Sequence, residues 1–376
     1  MKLLFICGNL EPGKDGVGDY TLMMAKRCMQ LQVKCCILAI NDVYISERST
    51  ICLINEIPVL RIKSTNSRII KKELSQDFIK SFDPEIVSIQ MVGYAYQARG
   101  WIFGLGSFLK SLFKSSVKFE INLHELWLGF SLNHDWKAKC NGLIQRLALQ
   151  SFLKSINPSV IHVGNDVYYS LLNTKGYSGT YLPLPSNIGV RKLASSEWIN
   201  LEMDVLGKDN IWIGLFFGSI QGNWDINSLL NKLISINKKN KLYILSVGNQ
   251  GFGNVIWDEM VEKFGSQIIF KKLGYKSNNE ISDLLAYSDF GIGTTPLSLL
   301  GKSGTAMAMI EHGLPIIVTR DELKYGFKIE KIEDHYNSVL MWDKIQTADD
   351  IKKSIVLPER SLDIASVFLQ HISSNN

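Results

Sequence analysis

SDFGIGTTPLSLLGKSGTAMAMIEHGLPIIVT, residues Ser288 to Thr319, carries the pattern that decides the fold. A short apolar strand, Asp289 to Gly293, leads through the loop TTPLSLLGK into a helix from about Ser303 to His312. Gly313 ends the helix, and the apolar strand LPIIVT follows. Within this stretch Gly301-Lys302-Ser303 looks like the tail of a phosphate-binding P-loop. That loop requires G-x-x-x-x-G-K-[ST], and Pro296 stands where its first glycine belongs. Proline has no N–H for a phosphate and a fixed φ that does not suit the cradle, so an ATPase loop is excluded. A helix opening at Lys302-Ser303-Gly304 still presents unpaired N–H groups and a positive dipole end. Gly304 admits a ligand close to the backbone, and Lys302 adds a full charge. These residues suit an anion, a phosphate foremost, or equally a serine N-cap with a solvated lysine beside it.

Outward from this stretch, strands and helices alternate along the whole chain, which argues for parallel sheets with helices on both faces. In the first half the strands are KLLFIC, VKCCILAI, a stretch near ICLINEIPVLRI, EIVSIQ, VKFEINL, VIHVG and TYLPL, with helices such as Gly18 to Gln32 and Trp136 to Lys154. The polar passage PSNIGVRKLASSEWINLEMDVLGKDN, Pro185 to Asn210, interrupts the pattern and reads as a linker. A second series follows: IWIGLFFG, KLYILSVG, QIIFKKLG, DFGIG and LPIIVT. An amphipathic helix from about Ser361 to Ile372 closes the chain. The expected fold is α/β, two Rossmann-like doubly wound domains facing across a cleft, with ligands at the carboxyl ends of the strands. The expected divisions are residues 1–190, residues 206–358, and a C-terminal helix, 359–376, returning to the first domain.

A chain of 376 residues exceeds one ordinary core, which fits two domains. The net charge of +5 is mild and dispersed, so nucleic acid is not an expected partner. Five of the six cysteines fall within the first 52 residues and none forms a C-x-x-C pair, so they read as core filling and not as a zinc or redox motif. No metal is expected. No signal peptide is visible, and no apolar run reaches the roughly 20 residues that span a bilayer. The expected location is cytoplasmic.

A dehydrogenase is the obvious rival. After the first strand the chain runs GNLEPGKDGVGDYT, and no G-x-G-x-x-G can be drawn through Gly8, Gly13, Gly16 and Gly18. The Gly16-Val17-Gly18 pair arrives eight residues after the strand, whereas a dinucleotide fingerprint needs the tight strand-to-helix turn.

GVGDYT after the first strand, HELW after a mid-domain strand, FFGSIQGNWD opening the second half, and the KSG helix before EHGLPII together resemble the two-Rossmann glycosyltransferases, in particular the family-4-like group. The resemblance spans nearly the whole chain in the right order. It implies transfer of a sugar from a nucleotide diphosphate donor, held mainly by the second half, to a saccharide or lipid-linked acceptor, in polysaccharide or glycan synthesis and with retention. By the same resemblance Gly16 and Gly18 match the glycine loop beside the diphosphate and the acceptor. His124 matches the active-site histidine that contacts the donor sugar. Gly218, followed by Ser219, matches the glycine ending the first donor-domain strand. Leu273, Gly274 and Tyr275 match the loop whose backbone reads the nucleotide base, and Lys302, Ser303, Gly304 and Thr305 match the diphosphate-holding helix start.

The chain departs from the pattern at four ionisable positions. The paired glutamates would fall at Leu300 and Ala308, and the basic pair at Ser219 and Trp224. A departing diphosphate needs positive or dipolar stabilisation, so more of it falls to Lys302 and the helix start. Glu311, one turn beyond Ala308, is a candidate for the ribose hydroxyls or a helix-end carboxylate facing water. His124, at the end of VKFEINL, faces the cleft or sits in the core on a backbone carbonyl. Asp19 is a possible acceptor base or a plain helix-start acid. The stripe Trp101, Ile102, Leu105, Phe108, Leu109, Leu112 and Phe113, with Lys110, Lys114 and Lys118 toward one end, packs on the sheet or lies on an anionic membrane. A nucleotide-sugar epimerase on the same double fold and a non-catalytic transferase-like subunit are the alternatives.

Overall fold

The computed structural model describes residues 1–191, 195–222, 224–239, 241–330, 339–351 and 360–374. The chain divides into two compact units. One comprises Met1–Pro183, Leu323–Glu330 and Ser361–Asn376, the other Leu184–Glu322 and Lys331–Arg360. The division expected at 358/359 lies outside the described residues.

In the first unit β1 (Lys2–Cys7) leads to α1 (Gly16–Gln30), β2 (Lys34–Asp42), β3 (Ser49–Ile54), β4 (Ile57–Lys63), α2 (Arg68–Phe82) and β5 (Ile86–Met91). Then come α3 (Leu105–Lys110), β6 (Lys118–Leu123), α4 (Trp136–Ile156), β7 (Val160–Val163), α5 (Asp166–Thr174) and β8 (Thr180–Tyr181). The sheet order is β3-β4-β2-β1-β5-β6-β7-β8. The central strands are near-continuous apolar runs because helices cover both faces of a parallel sheet; Leu3 through Cys7 are all 0% exposed. β3 is the antiparallel exception. The stretch ICLINEIPVLRI is a hairpin and not one strand, because Asn55 (φ 50°) and Glu56 (φ 67°) both adopt the left-handed conformation that a two-residue hairpin turn requires. Residues 323–330 return to this unit from afar: Leu132 N–H donates to the Lys324 carbonyl (2.8 Å), and the Phe130 and Tyr325 rings stack at 6.0 Å.

The second unit begins at Leu184, just before the expected linker, and takes in that passage. α6 (Glu197–Met203) buries Ile199 and Met203 in this unit's core, and Arg191 pairs with Asp283 at 2.7 Å. Within α6 the polar Glu197 and Glu202 are exposed, whereas Ser186 earlier in the passage is buried; residues 192–194 lie outside the described residues. β9 (Ile211–Phe217), α7 (Ile226–Ile236), β10 (Lys241–Val247), α8 (Asn254–Phe264), β11 (Ile268–Gly274), α9 (Asn278–Tyr287), β12 (Phe290–Gly293), α10 (Gly304–Glu311), β13 (Ile316–Val318) and β14 (Val339–Met341) follow. The sheet is parallel throughout, in the order β11-β10-β9-β12-β13-β14. Caps written in the sequence set the helix starts: Asp225 accepts from Ser228 N–H on α7, and Ser277 with Glu280 forms a reciprocal capping box on α9.

The last helix, α11 (Arg360–Ser374), belongs to the first unit. Phe368 is 1% exposed and stacks on Phe5 of β1 at 6.1 Å.

Candidate functional site

In each unit the chain leaves its first strand to one side, then returns to pair on the other. This puts topological switch points between β1 and β5 and between β9 and β12, where open α/β sheets bind ligands beyond the carboxyl ends of the strands. Gly16, Gly18 and Asp19 follow β1, and Gly218, Ser219 and Lys302 to Thr305 follow β9 and β12; His124 instead follows β6, Leu273 to Tyr275 lie at the end of β11, and Glu311 ends α10.

At the second unit's switch point, Gly218 ends β9 with φ +80°, and a Cβ there would lie 3.1 Å from Thr305 Cγ2. A side chain at 218 would therefore be strained and would push against the first turn of α10. Ser303 is the N-cap of that helix, its hydroxyl accepting from Ala306 N–H (3.3 Å) and lying 3.1 Å from the Thr305 hydroxyl. The N-cap reading of Ser303 therefore holds, and a capped N-terminus keeps its dipole and its remaining first-turn N–H groups. Lys302 is exposed beside it, at the end of a 3-10 turn, Leu297–Lys302, that replaces the expected loop. A Cβ on Gly304 would meet nothing within 4 Å.

Ser219 is exposed, and its carbonyl accepts from Thr294 Oγ1 at 3.4 Å. Leu273 is buried, the Gly274 carbonyl accepts from Gly248 N–H (2.8 Å), and Tyr275 is 81% exposed. Of these three residues, Gly274 and Tyr275 are exposed. Glu311 does not face water: it is 4% exposed and accepts from Ser186 N–H at 2.9 Å, tying the start of this unit to α10. Leu300 and Ala308, where the paired glutamates would stand, are both 0% exposed in the apolar core.

Two residues here escaped the sequence reading. Thr294 also accepts from Gln221 N–H (3.0 Å), joining the ends of β9 and β12. Arg320, just past β13, reaches Gln221 Oε1 at 3.2 Å and pairs with Glu322. It brings a cation to the loop that lacks the basic pair. The signal for both was position: polar residues directly after buried strands.

In the first unit, Asp15 caps α1 by accepting from Gly18 N–H (2.7 Å) and also takes a hydrogen bond from Asn9 (3.1 Å). A Cβ on Gly18 would lie 2.8 Å from the Asn9 carbonyl, so the helix can approach the end of β1 only with glycine there. Gly16, one turn position earlier, has open space in front of it. Asp19 accepts from Gly13 N–H through both oxygens, at 3.0 and 3.2 Å. That favours the helix-start role, in which it orders the glycine loop; burial raises its pKa.

His124 extends β6 by one residue, its N–H donating to the Met91 carbonyl at 3.1 Å. It is half-buried. Nε2 lies 2.8 Å from Gln90 Oε1, and the Tyr20 ring meets it edge-on with centroids 4.7 Å apart. Burial pushes its pKa down to about 4, so the ring is neutral near pH 7. The core alternative, with the side chain satisfied by a backbone carbonyl, is not what the ring does.

The apolar stripe at 101–113 divides. Ile102, Leu105, Leu109 and Leu112 are buried, and Phe113 packs edge-on to Phe119 at 5.7 Å. The Trp101 indole N–H donates to Asn141 of α4 at 2.8 Å. Most of the stripe is core. The exposed apolar face lies instead on α4, where Trp136 is 69%, Leu143 51% and Leu147 47% exposed. No described helix is long and apolar enough to cross a membrane.

Neither a family description nor a curated protein matches this sequence. Solved structures do. HepE of Anabaena, in complex with UDP and glucose, aligns with 100% of this chain and 91% of its own, with a TM-score of 0.58 at 13% identity. A glycosyltransferase from Rickettsia africae aligns with 99% of this chain and 88% of its own, with a TM-score of 0.53 at 17% identity. The chain has the two-Rossmann (GT-B) fold of the glycosyltransferases. A Listeria monocytogenes protein named for UDP-N-acetylglucosamine 2-epimerase activity also aligns, over 99% of this chain and 96% of its own, with a TM-score of 0.53 at 10% identity. The fold is therefore common to transfer and epimerisation, and the choice of reaction rests on the site.

Proposed function

We propose that this GT-B protein is a glycosyltransferase that moves a sugar from a nucleoside diphosphate to a saccharide or lipid-linked acceptor, with retention and without a metal ion. The observation that carries this reading is the start of α10. A capped helix N-terminus, an exposed Lys302 and an unobstructed Gly304 converge at the switch point beside Gly218. Such a group of fixed N–H dipoles and one cation suits a diphosphate, whose charge grows as the sugar leaves. Arg320 supplies a second cation at the loop where the basic pair is missing. The backbone at Tyr275 is assigned to the base.

Within the first unit, His124 is assigned to recognition of a sugar and Asp19 to holding the Gly16–Gly18 loop in shape. Glu311 is assigned to the frame of the second unit and not to the ribose, because its carboxylate is buried on Ser186. The outer face of α4, apolar and flanked by Lys137 and Lys139, is assigned to an anionic membrane surface carrying a lipid-linked acceptor.

A panel of UDP, ADP and GDP sugars offered to the purified protein tests the reading. Transfer or slow hydrolysis with release of the nucleoside diphosphate is expected. Release of an epimerised sugar nucleotide with no transfer would replace it by the epimerase reading, and tight binding without turnover by that of a non-catalytic subunit.

A further inference from the structure

Strands β5, β6 and β7 carry polar residues at alternate positions inside otherwise apolar runs. Because side chains alternate across a sheet, Ser88 and Gln90 of β5 share a face with Glu120, Asn122 and His124 of β6. All but His124 are 5% exposed or less. Ser88, Gln90, Glu120 and His124 form one continuous chain of hydrogen bonds. His124 Nε2 lies 2.8 Å from Gln90 Oε1, Gln90 Nε2 donates to Ser88 Oγ at 2.7 Å, and Ser88 Oγ donates to a Glu120 oxygen at 2.5 Å. The other Glu120 oxygen lies 2.8 Å from His162 Nδ1 on β7, and His162 Nε2 is 3.0 Å from His371 Nδ1 on α11.

A carboxylate only accepts hydrogen bonds, and a serine has one proton to give. Glu120 takes that proton, so Ser88 Oγ must accept from the amide nitrogen of Gln90. The amide oxygen is then turned toward His124, whose Nε2 must donate. Every bond in the chain is directed by the two acceptor oxygens of Glu120 at its centre, and a buried polar chain tolerates no reversal that leaves one member unsatisfied. We infer that Glu120 is a positioning residue which, acting through Ser88 and Gln90, fixes His124 in its Nε2–H tautomer, leaving Nδ1 to accept a hydrogen bond from a ligand hydroxyl and to disfavour an anionic oxygen.

The depressed pKa of the ring acts in the same direction, since a neutral imidazole offers Nδ1 no second proton. The Tyr20 ring against His124 and the Asn122 amide on the Tyr20 hydroxyl (3.0 Å) keep the imidazole from rotating. The identity of the ligand as a sugar rests on the transferase reading; the tautomer does not. Together they specify a donor sugar that presents a neutral hydroxyl to His124 and exclude a uronate whose carboxylate would face Nδ1.

Nitrogen-15 NMR of the imidazoles in the full-length protein near pH 7 tests this, with His124 assigned by comparison with His124→Asn. The wild type is expected to show a protonated Nε2 and an unprotonated Nδ1. Ser88→Ala cuts the chain without touching the contact between Glu120 and His162. It frees the Gln90 amide to turn, so His124 should become a mixture of both tautomers while His162 keeps its signals. Ser88→Thr should restore the single form. Glu120→Gln, nearly isosteric, serves as the second variant and is also expected to lose the single form. A proton on Nδ1 in the wild type, or an unchanged single Nε2–H form in both Ser88→Ala and Glu120→Gln, overturns the inference.

The ligand arm uses UDP-glucose and UDP-glucuronate as probes. Wild type is expected to prefer the glucose compound by about tenfold or more, because a site built for one hydrogen-bonding partner discriminates strongly, and Ser88→Ala to narrow that preference. Equal binding of the two overturns the specificity claim. Silence of His124 toward both removes the sugar and counts against the transferase reading, while the tautomer is judged on the unliganded protein alone.

Discussion

On the proposed reading, substitutions at Lys302 and His124 should separate binding from turnover. Lys302→Ala is expected to weaken binding of a nucleoside diphosphate by about 1.5–3 kcal/mol, the range for a hydrogen bond to a charged group. Isothermal titration reads this directly, and unchanged affinity would take Lys302 out of the clamp. His124→Ala should depress turnover far more than nucleotide affinity, because its assigned partner is the sugar and not the phosphates; equal losses in both would argue against that role. His124 also has a signature in stability. Its folded-state pKa of about 4 lies below the ordinary value near 6.5, and burial also lowers His312 and His371. The unfolded chain therefore binds protons that the folded chain refuses. Stability from these groups is complete above about pH 6.5 and is lost as pH falls below it, with a limiting slope of about 1.4 kcal/mol per pH unit for each histidine. Urea denaturation at pH 7 and pH 5.5 should show that loss in the wild type and a smaller one in His124→Asn. An identical loss in the two proteins would mean that His124 titrates normally.

Among the elements, most of the stripe before β6 packs in the core, and an exposed apolar face lies on α4. Leu109 is 0% exposed, so Leu109→Ala should cost about 2–5 kcal/mol of stability. Trp136→Ser with Leu143→Ser removes only exposed groups and should leave the melting temperature nearly unchanged, while release from anionic vesicles increases at low salt. Retention of full vesicle binding by that double variant would separate α4 from the membrane. The junction of β9 with α10 is as sensitive as a core position. Gly218→Ala places a Cβ in a left-handed backbone and against Thr305, and is expected to destabilise the protein by about 1 kcal/mol or more. Diphosphate affinity should fall with it, since the displaced group is the helix start itself; full retention of affinity would show that the start of α10 is not the clamp.

Across the molecule, the first unit is assembled from three distant pieces of chain, and α11 closes it. Phe368→Ala removes the ring that stacks on Phe5, a change of the class that costs about 3–5 kcal/mol. Hydrogen exchange should then accelerate in β1, β5, β6 and β7, while β9 to β13 keep their protection. Uniform loss across both sheets would mean that the two units unfold as one.

The alternation of apolar runs with amphipathic helices was enough to establish the α/β class and the doubled sheet, because burial on both faces of a parallel sheet leaves a local mark in every strand. The Ser303 cap was legible for the same reason, its partner lying three residues away; Asp15 and Asp225 cap their helices over the same distance but were recognised only in the structure. Tertiary structure alone decided that ICLINEIPVLRI folds back as a hairpin, that the polar passage after Pro183 is packed in the second unit, and that residues 323–330 rejoin the first. It also decided that Glu311 is buried on Ser186 and that the exposed apolar face lies on α4 and not on the Trp101–Phe113 stripe. Ser88, Gln90, Glu120 and His162 were read only as letters inside apolar strands, and their connection was invisible. It runs across strands whose order follows from long-range pairing, and the contacts that direct its hydrogen bonds join residues up to 209 positions apart. A sequence records which groups each segment must bury; which partner meets them there is settled only when the sheet closes.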